Sequence, residues 1–165
     1  MTLMDAPKFD AAGAVRRTRM YISFFAGVVL CLIAFWFFAG RPIDYPWTWW
    51  TYWAGERTTD QFLHTIESND LPRAYGIWVH DPAWQQHPDK YTTYPFDRFK
   101  EDFGQNSMAN DYGTISSHII VAKKVSGGGL IVASMINGRK SKPLFLEYFP
   151  KDHTLGFSPF ELKLD

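Results

Sequence analysis

Five histidines, His64, His80, His87, His118 and His153, are the side chains here best suited to hold a metal ion or move a proton near neutral pH. A helical zinc site needs two histidines four residues apart, and no pair has that spacing. His80 and His87 are separated by a stretch containing Pro82. The spacing predicts no metal centre and no cofactor. A cysteine nucleophile or cysteine cluster is excluded, because the one cysteine, Cys31, lies within an apolar run and reads as a small buried hydrophobe. No glycine loop cradles a phosphate either, since residues 127–129 join two strand-like segments and open no helix. Two residues could do acid–base work. Glu147 alternates with Phe145 and Phe149, and enclosure between two rings would raise its pKa by desolvation. The plainer expectation is an edge strand on which Glu147 meets water and opposes a lysine. His118 shares a strand face with Thr114, Ser116 and Ile120, the more polar face, so it reads as an exposed or hydrogen-bonded histidine. It reaches the interior only if that face lines it.

Charge narrows the partners. The chain of 165 residues has no net charge, but the balance splits along its length. The first 19 residues carry Lys8, Arg16, Arg17 and Arg19 against Asp5 and Asp10, and the remainder has a small acidic surplus. A near-neutral domain offers no electrostatic footprint for a phosphate backbone, so no nucleic-acid partner is expected.

The division falls at residues 20–39, an apolar run of 20 residues without a charge. At 1.5 Å per residue it spans about 30 Å, the thickness of a bilayer's hydrocarbon core. A cleaved signal peptide would have a shorter apolar region and a small-x-small site. Phe37 and Phe38 block the two candidate sites. Three arginines precede the run and Arg41 alone follows it, which predicts a cytoplasmic N-terminus and an extracytoplasmic C-terminal domain, periplasmic or at a cell surface. Four of the seven tryptophans, Trp47, Trp49, Trp50 and Trp53, come next. Indole rings favour the headgroup layer, so residues 40–57 read as an interfacial linker with an aromatic belt. The same rings would also serve as a docking surface for another membrane subunit.

The soluble domain is expected over residues 58–165. Thr58 and Gln61 form a capping box for a first helix reaching Ser68. Asp70 caps a second helix with Pro72 in its first turn, and Pro95 opens a third, in which Phe96, Phe99 and Phe103 share a face before Gly104. Strand patterns follow at 114–125, with Ile115, Ile119, Val121 and Val125 on one face, then at 130–135, 144–149 and 157–164. Asn137-Gly138 signals a hairpin turn. Helices followed by an antiparallel meander make an α+β class with the helices on one sheet face.

Residues 62–70, FLHTIESND, followed by Ala74-Tyr75, resemble the opening of the nuclear-transport-factor-two-like (SnoaL-like) superfamily. The resemblance covers roughly residues 58–164 and implies a curved sheet forming a cone against the helices. It also implies that any enzyme of this plan would use an acid–base residue inside the cone, often beside a tyrosine. By type, His118, Glu147, Tyr75 and Asp102 could play that part, with Tyr75, Trp78, His118 and Glu147 lining a pocket. The fold hosts both enzymes and inert scaffolds, so it carries no activity with it. The expectation is a membrane-anchored, non-catalytic accessory or interaction domain whose partners are the bilayer and other membrane subunits. The alternative is a small-molecule-binding protein or minor enzyme using the cone cavity.

Overall fold

The computed structural model describes residues 11–163. The tail residues Asp5, Lys8 and Asp10, and Leu164 at the end of the expected last strand, lie outside them. The chain divides into two compact units, Met1–Arg41 and Pro42–Asp165.

The first unit is one helix, α1 (Ala11–Phe38), which starts well before the apolar run and carries Arg16, Arg17 and Arg19 on its first turns. It closes in a Schellman motif. Gly40 and Arg41 take left-handed φ of 79° and 57°, while the Gly40 and Arg41 amides reach back to the Phe37 and Trp36 carbonyls. The helix is long and apolar enough to cross a membrane, and none of its most apolar stretch is buried within the protein. Cys31 is exposed on its surface, not buried as the sequence suggested.

The second unit is α+β. After a 3-10 turn at Pro46–Thr48 come α2 (Trp49–Glu67), α3 (Leu71–Trp78) and α4 (Phe96–Phe103). The start of α2 corrects the sequence reading. Thr58 and Gln61 lie in mid-helix, and the tryptophan segment forms the first turns. The buried set Tyr52, Gly55, Thr59, Phe62, Leu63 and Ile66 recurs at three- and four-residue spacing, so one apolar stripe runs through both. Gly55, inside this helix, permits close approach to the sheet. A Cβ there would stand 2.6 Å from Leu130 Cδ2 and 2.8 Å from Tyr148 Cδ1. The two later helices start and stop as their caps predict. The Asp70 carboxylate accepts from the Arg73 amide at 3.2 Å, and α4 lies between its cap residues Pro95 and Gly104.

Four strands, β1 (His118–Ser126), β2 (Gly129–Ile136), β3 (Leu144–Phe149) and β4 (Thr154–Phe157), form an antiparallel meander in chain order. Gly127 and Gly128, both at positive φ, make the two-residue turn between β1 and β2. Asn137-Gly138 turns the chain out of β2, but its loop continues to Pro143. The last strand lies at Thr154–Phe157 and not at 157–164; beyond it, the Ser158 amide adds one bond to Phe145 O.

A bulge between Ile120 and Ala122 also alters the expected faces of β1. One extra residue on one strand flips every side chain beyond it. Val125 packs against the core, Ile119 and Val121 are 58% and 44% exposed, and Ile120 and His118 turn inward instead. The helices cover the face of Leu130, Val132, Ile136, Leu144, Leu146, Tyr148 and Leu155. At the centre stands Trp78, its ring within 6 Å of five aromatic neighbours, Phe62, Phe99, Phe103, Tyr94 and Phe157. The interior is filled by rings.

Candidate functional site

The side of α2 facing β1 is polar. Glu56, Asp60, His64 and Glu67 follow one another at three or four residues, a spacing that aligns them along one helical face. Lys123 of β1 pairs with Glu56, and His118, turned inward by the bulge, reaches the other three.

Glu67 organises the cluster. Its Oε1 accepts from His118 Nδ1 at 2.7 Å, and its Oε2 from His64 Nδ1 at 2.9 Å. The opposite edges of both rings face Asp60, with His118 Nε2 3.2 Å from Oδ1 and His64 Nε2 3.8 Å from Oδ2. The two imidazoles meet edge to face, centroids 4.9 Å apart. His118 is almost completely enclosed, its side chain 3% exposed, whereas Asp60 and His64 open to solvent. Burial pushes the Glu67 carboxyl up, but hydrogen bonds from His118 and His64 outweigh it and hold the group below the usual carboxylate range. The hydrogen bond to Glu67 raises the pKa of His64.

Asp60 and His64 also line a groove of about 590 Å³ with Arg57, Gln61, Ser68 and Arg73. One donor atom from each of Asp60, His64 and His118 lies within 4.8 Å of the other two. This donor set can bind a cation or hold protons.

Comparison with protein-family models, with curated proteins and with solved structures finds no match. Chemistry must be read from the side chains alone.

The four residues expected to line one pocket do not meet. Tyr75 and Trp78 are buried in the aromatic core, where the Tyr75 hydroxyl donates to Tyr94 O at 2.6 Å. His118 belongs to the polar cluster. Glu147 lies on the sheet face away from the helices, and the edge-strand expectation for it fails. β3 runs between β2 and β4, the residue is only 9% exposed, and it has no hydrogen bond or ion pair among the described residues. Its side chain lies over Gly129, where a Cβ would overlap the carboxylate. Burial pushes its carboxyl up. Asp102 accepts from the Tyr94 hydroxyl at 2.7 Å and pairs with Arg98 at 3.4 Å, a structural role at the end of α4.

Spacing between histidines alone does not reveal Asp60, His64 and Glu67. The legible signal was Asp60-x-x-x-His64-x-x-Glu67, three ligand-type residues on one helical face. Its second imidazole comes from 54 positions away in sequence and depends on the bulge.

Trp47 and Trp50 are 74% and 57% exposed, and Trp49 and Trp53 are half-buried. Tyr45 stacks on Trp47 at 4.6 Å and Trp50 leans on Trp53 at 4.8 Å. With Ile43 fully exposed, they form an apolar, ring-rich surface at the start of the second unit.

Proposed function

We propose that this protein is a single-pass membrane protein with a cytoplasmic N-terminus, whose α+β unit lies outside the cytoplasm as a non-catalytic accessory and interaction module. The observation that carries this reading is the exposed aromatic surface of Ile43, Tyr45, Trp47 and Trp50. It directly follows in sequence a helix long and apolar enough to span a bilayer. Rings with a polar edge belong in the headgroup layer or against another membrane subunit. The arginines on the first turns of α1, against Arg41 alone after its end, favour the stated orientation. Three helices before an antiparallel meander is the element order that the nuclear-transport-factor-two-like plan would have, and here rings fill the space between helices and sheet. That filling leaves the small-molecule or enzyme alternative little support, since Tyr75 and Trp78 are sealed among aromatic rings.

Two measurements test it. A reporter fused after Asp165 that works only outside the cytoplasm is expected to be active, and the mature chain is expected to keep residues 20–39. Activity of a cytoplasm-restricted reporter, or a mature N-terminus near Arg41, would overturn the topology. The second measurement replaces Trp47, Trp49, Trp50 and Trp53 by phenylalanine singly and follows co-purification in mild detergent. A docking tryptophan fills one pocket and carries about 2 kcal/mol or more, whereas belt indoles are interchangeable. One change is expected to release a membrane partner while the chain stays inserted. Four unchanged sets of co-purifying proteins would reduce the segment to a membrane belt.

A further inference from the structure

We infer that Asp60, His64 and His118 form a binding site for a divalent transition-metal ion, zinc being the ion whose preferences the donors match best. The inference starts from the orientation of the two rings. A carboxylate accepts, so Glu67, placed between the two rings, takes a hydrogen bond from each Nδ1 and sets the orientation of both imidazoles. Both Nε2 atoms are thereby aimed at Asp60, His118 Nε2 within hydrogen-bond distance of Oδ1, and in the neutral rings each Nε2 offers a lone pair on the same side as the carboxylate. A cation among the three takes the place of protons there and bonds two nitrogens and one carboxylate oxygen.

The dimensions suit zinc. Bonds of about 2.0–2.2 Å to nitrogen and oxygen in tetrahedral geometry separate the donors by roughly 3.3–3.5 Å. The two nitrogen–oxygen distances here, 3.2 Å to Oδ1 and 3.8 Å to Oδ2, bracket that span, and with all three donors within 4.8 Å of one another a side-chain turn of the exposed His64 would complete the set. Two imidazoles and one carboxylate are a borderline-soft set that favours zinc over magnesium or calcium. A carboxylate on the outer nitrogen of each metal-bound histidine is the usual device for orienting the ring, and Glu67 serves both rings at once. The side on which Asp60 and His64 line the groove leaves room for a water as fourth ligand. Such a site would tie α2 to β1 across the edge of the sheet, alongside the Glu56–Lys123 pair. It does not depend on which side of a membrane the unit occupies.

The test uses the full chain in detergent, stripped with a chelator and titrated with zinc against a chromophoric competitor. One zinc per chain is expected. His64→Ala removes an exposed ligand without disturbing the core and is expected to weaken binding about 100-fold or more. Glu67→Gln, which keeps the shape but not the charge, is expected to weaken it about 10–100-fold. His87→Ala, at an exposed histidine outside the cluster, should bind as the wild type does. Cobalt substituted for zinc is expected to give the intense visible absorption of a four-coordinate ion, lost in His64→Ala. Absence of saturable zinc binding would overturn the site. So would zinc binding that His64→Ala leaves unchanged, which would place the ion on other histidines.

Discussion

Trp78→Ala is expected to lower the stability of the α+β unit by about 3–5 kcal/mol, the usual cost of emptying a large aromatic site. The cost arises because collapse into the space is blocked from every side. Phe62 comes from α2, Phe99 and Phe103 from α4, Phe157 from β4 and Tyr94 from the segment before α4. These rings are themselves fixed. Tyr94 donates to Asp102 at 2.7 Å, and Tyr75, which packs on Phe99, donates to Tyr94 O. For a unit of this size, the loss corresponds to a melting temperature lower by roughly 10–20 °C. Trp47→Ala is the comparison, since Trp47 is 74% exposed and its loss should stay within about 0.5 kcal/mol. Denaturant or thermal unfolding of the two variants in the same detergent gives the answer. A Trp78→Ala loss below about 1 kcal/mol would mean an interior loose enough to admit a ligand, and would revive the small-molecule reading.

How far the sequence reveals this architecture depends on how local each determinant is. The boundaries of α3 and α4 were legible because their caps are local: Asp70 with Pro72, and Pro95 with Gly104, act within a few residues. The meander was legible for the same reason, through the turn signals Gly127-Gly128 and Asn137-Gly138 and the short apolar runs of β2 and β3. The start of α2 was not. Tryptophans in an interfacial belt and tryptophans on the first turns of a helix have the same composition, and only the burial of Tyr52 and Gly55 against the sheet separates them. The bulge in β1 was also illegible, since a run of β-branched residues is apolar on both faces and does not announce a register shift. That shift has the larger consequence. In an unbroken strand with Val125 facing the core, Ile119 would face α2 and His118 would face solvent. The bulge exchanges them, which leaves Ile119 exposed and brings His118 between Asp60 and Glu67. The candidate site therefore depends on one inserted residue and on partners 51 and 58 positions apart.

Glu147 gives the complementary prediction, a gain in stability on removing a charge. The group is 9% exposed and unpaired among the described residues, and burial raises its pKa. A carboxyl whose folded pKa lies above its unfolded value binds protons more readily when folded. Its contribution to stability is therefore most favourable below the ordinary carboxylate range, and it declines as the pH rises through the folded value. At pH 8 the folded protein must hold an ionised, unpartnered carboxylate over Gly129, or admit water to it. Glu147→Gln removes the charge at nearly constant volume, and Glu147→Met removes the polarity as well. Both variants are expected to be more stable than the wild type at pH 8, by about 1–3 kcal/mol for the methionine, the usual cost of leaving a buried polar group unsatisfied. The glutamine gains less, because its amide is still buried. The advantage should shrink as the pH falls towards 4, where the wild-type carboxyl becomes largely protonated in both states; the glutamine's then nearly vanishes, and the methionine keeps only the part that comes from removing a polar group. Taking the difference between variant and wild type at each pH cancels the opposite trend from Glu67, whose lowered pKa contributes stability that is lost on acidification. Melting temperatures from pH 4 to 8 suffice. A methionine variant less stable than the wild type at pH 8 would show that Glu147 has a favourable partner, and the outer face of the sheet would then be the place to look for it.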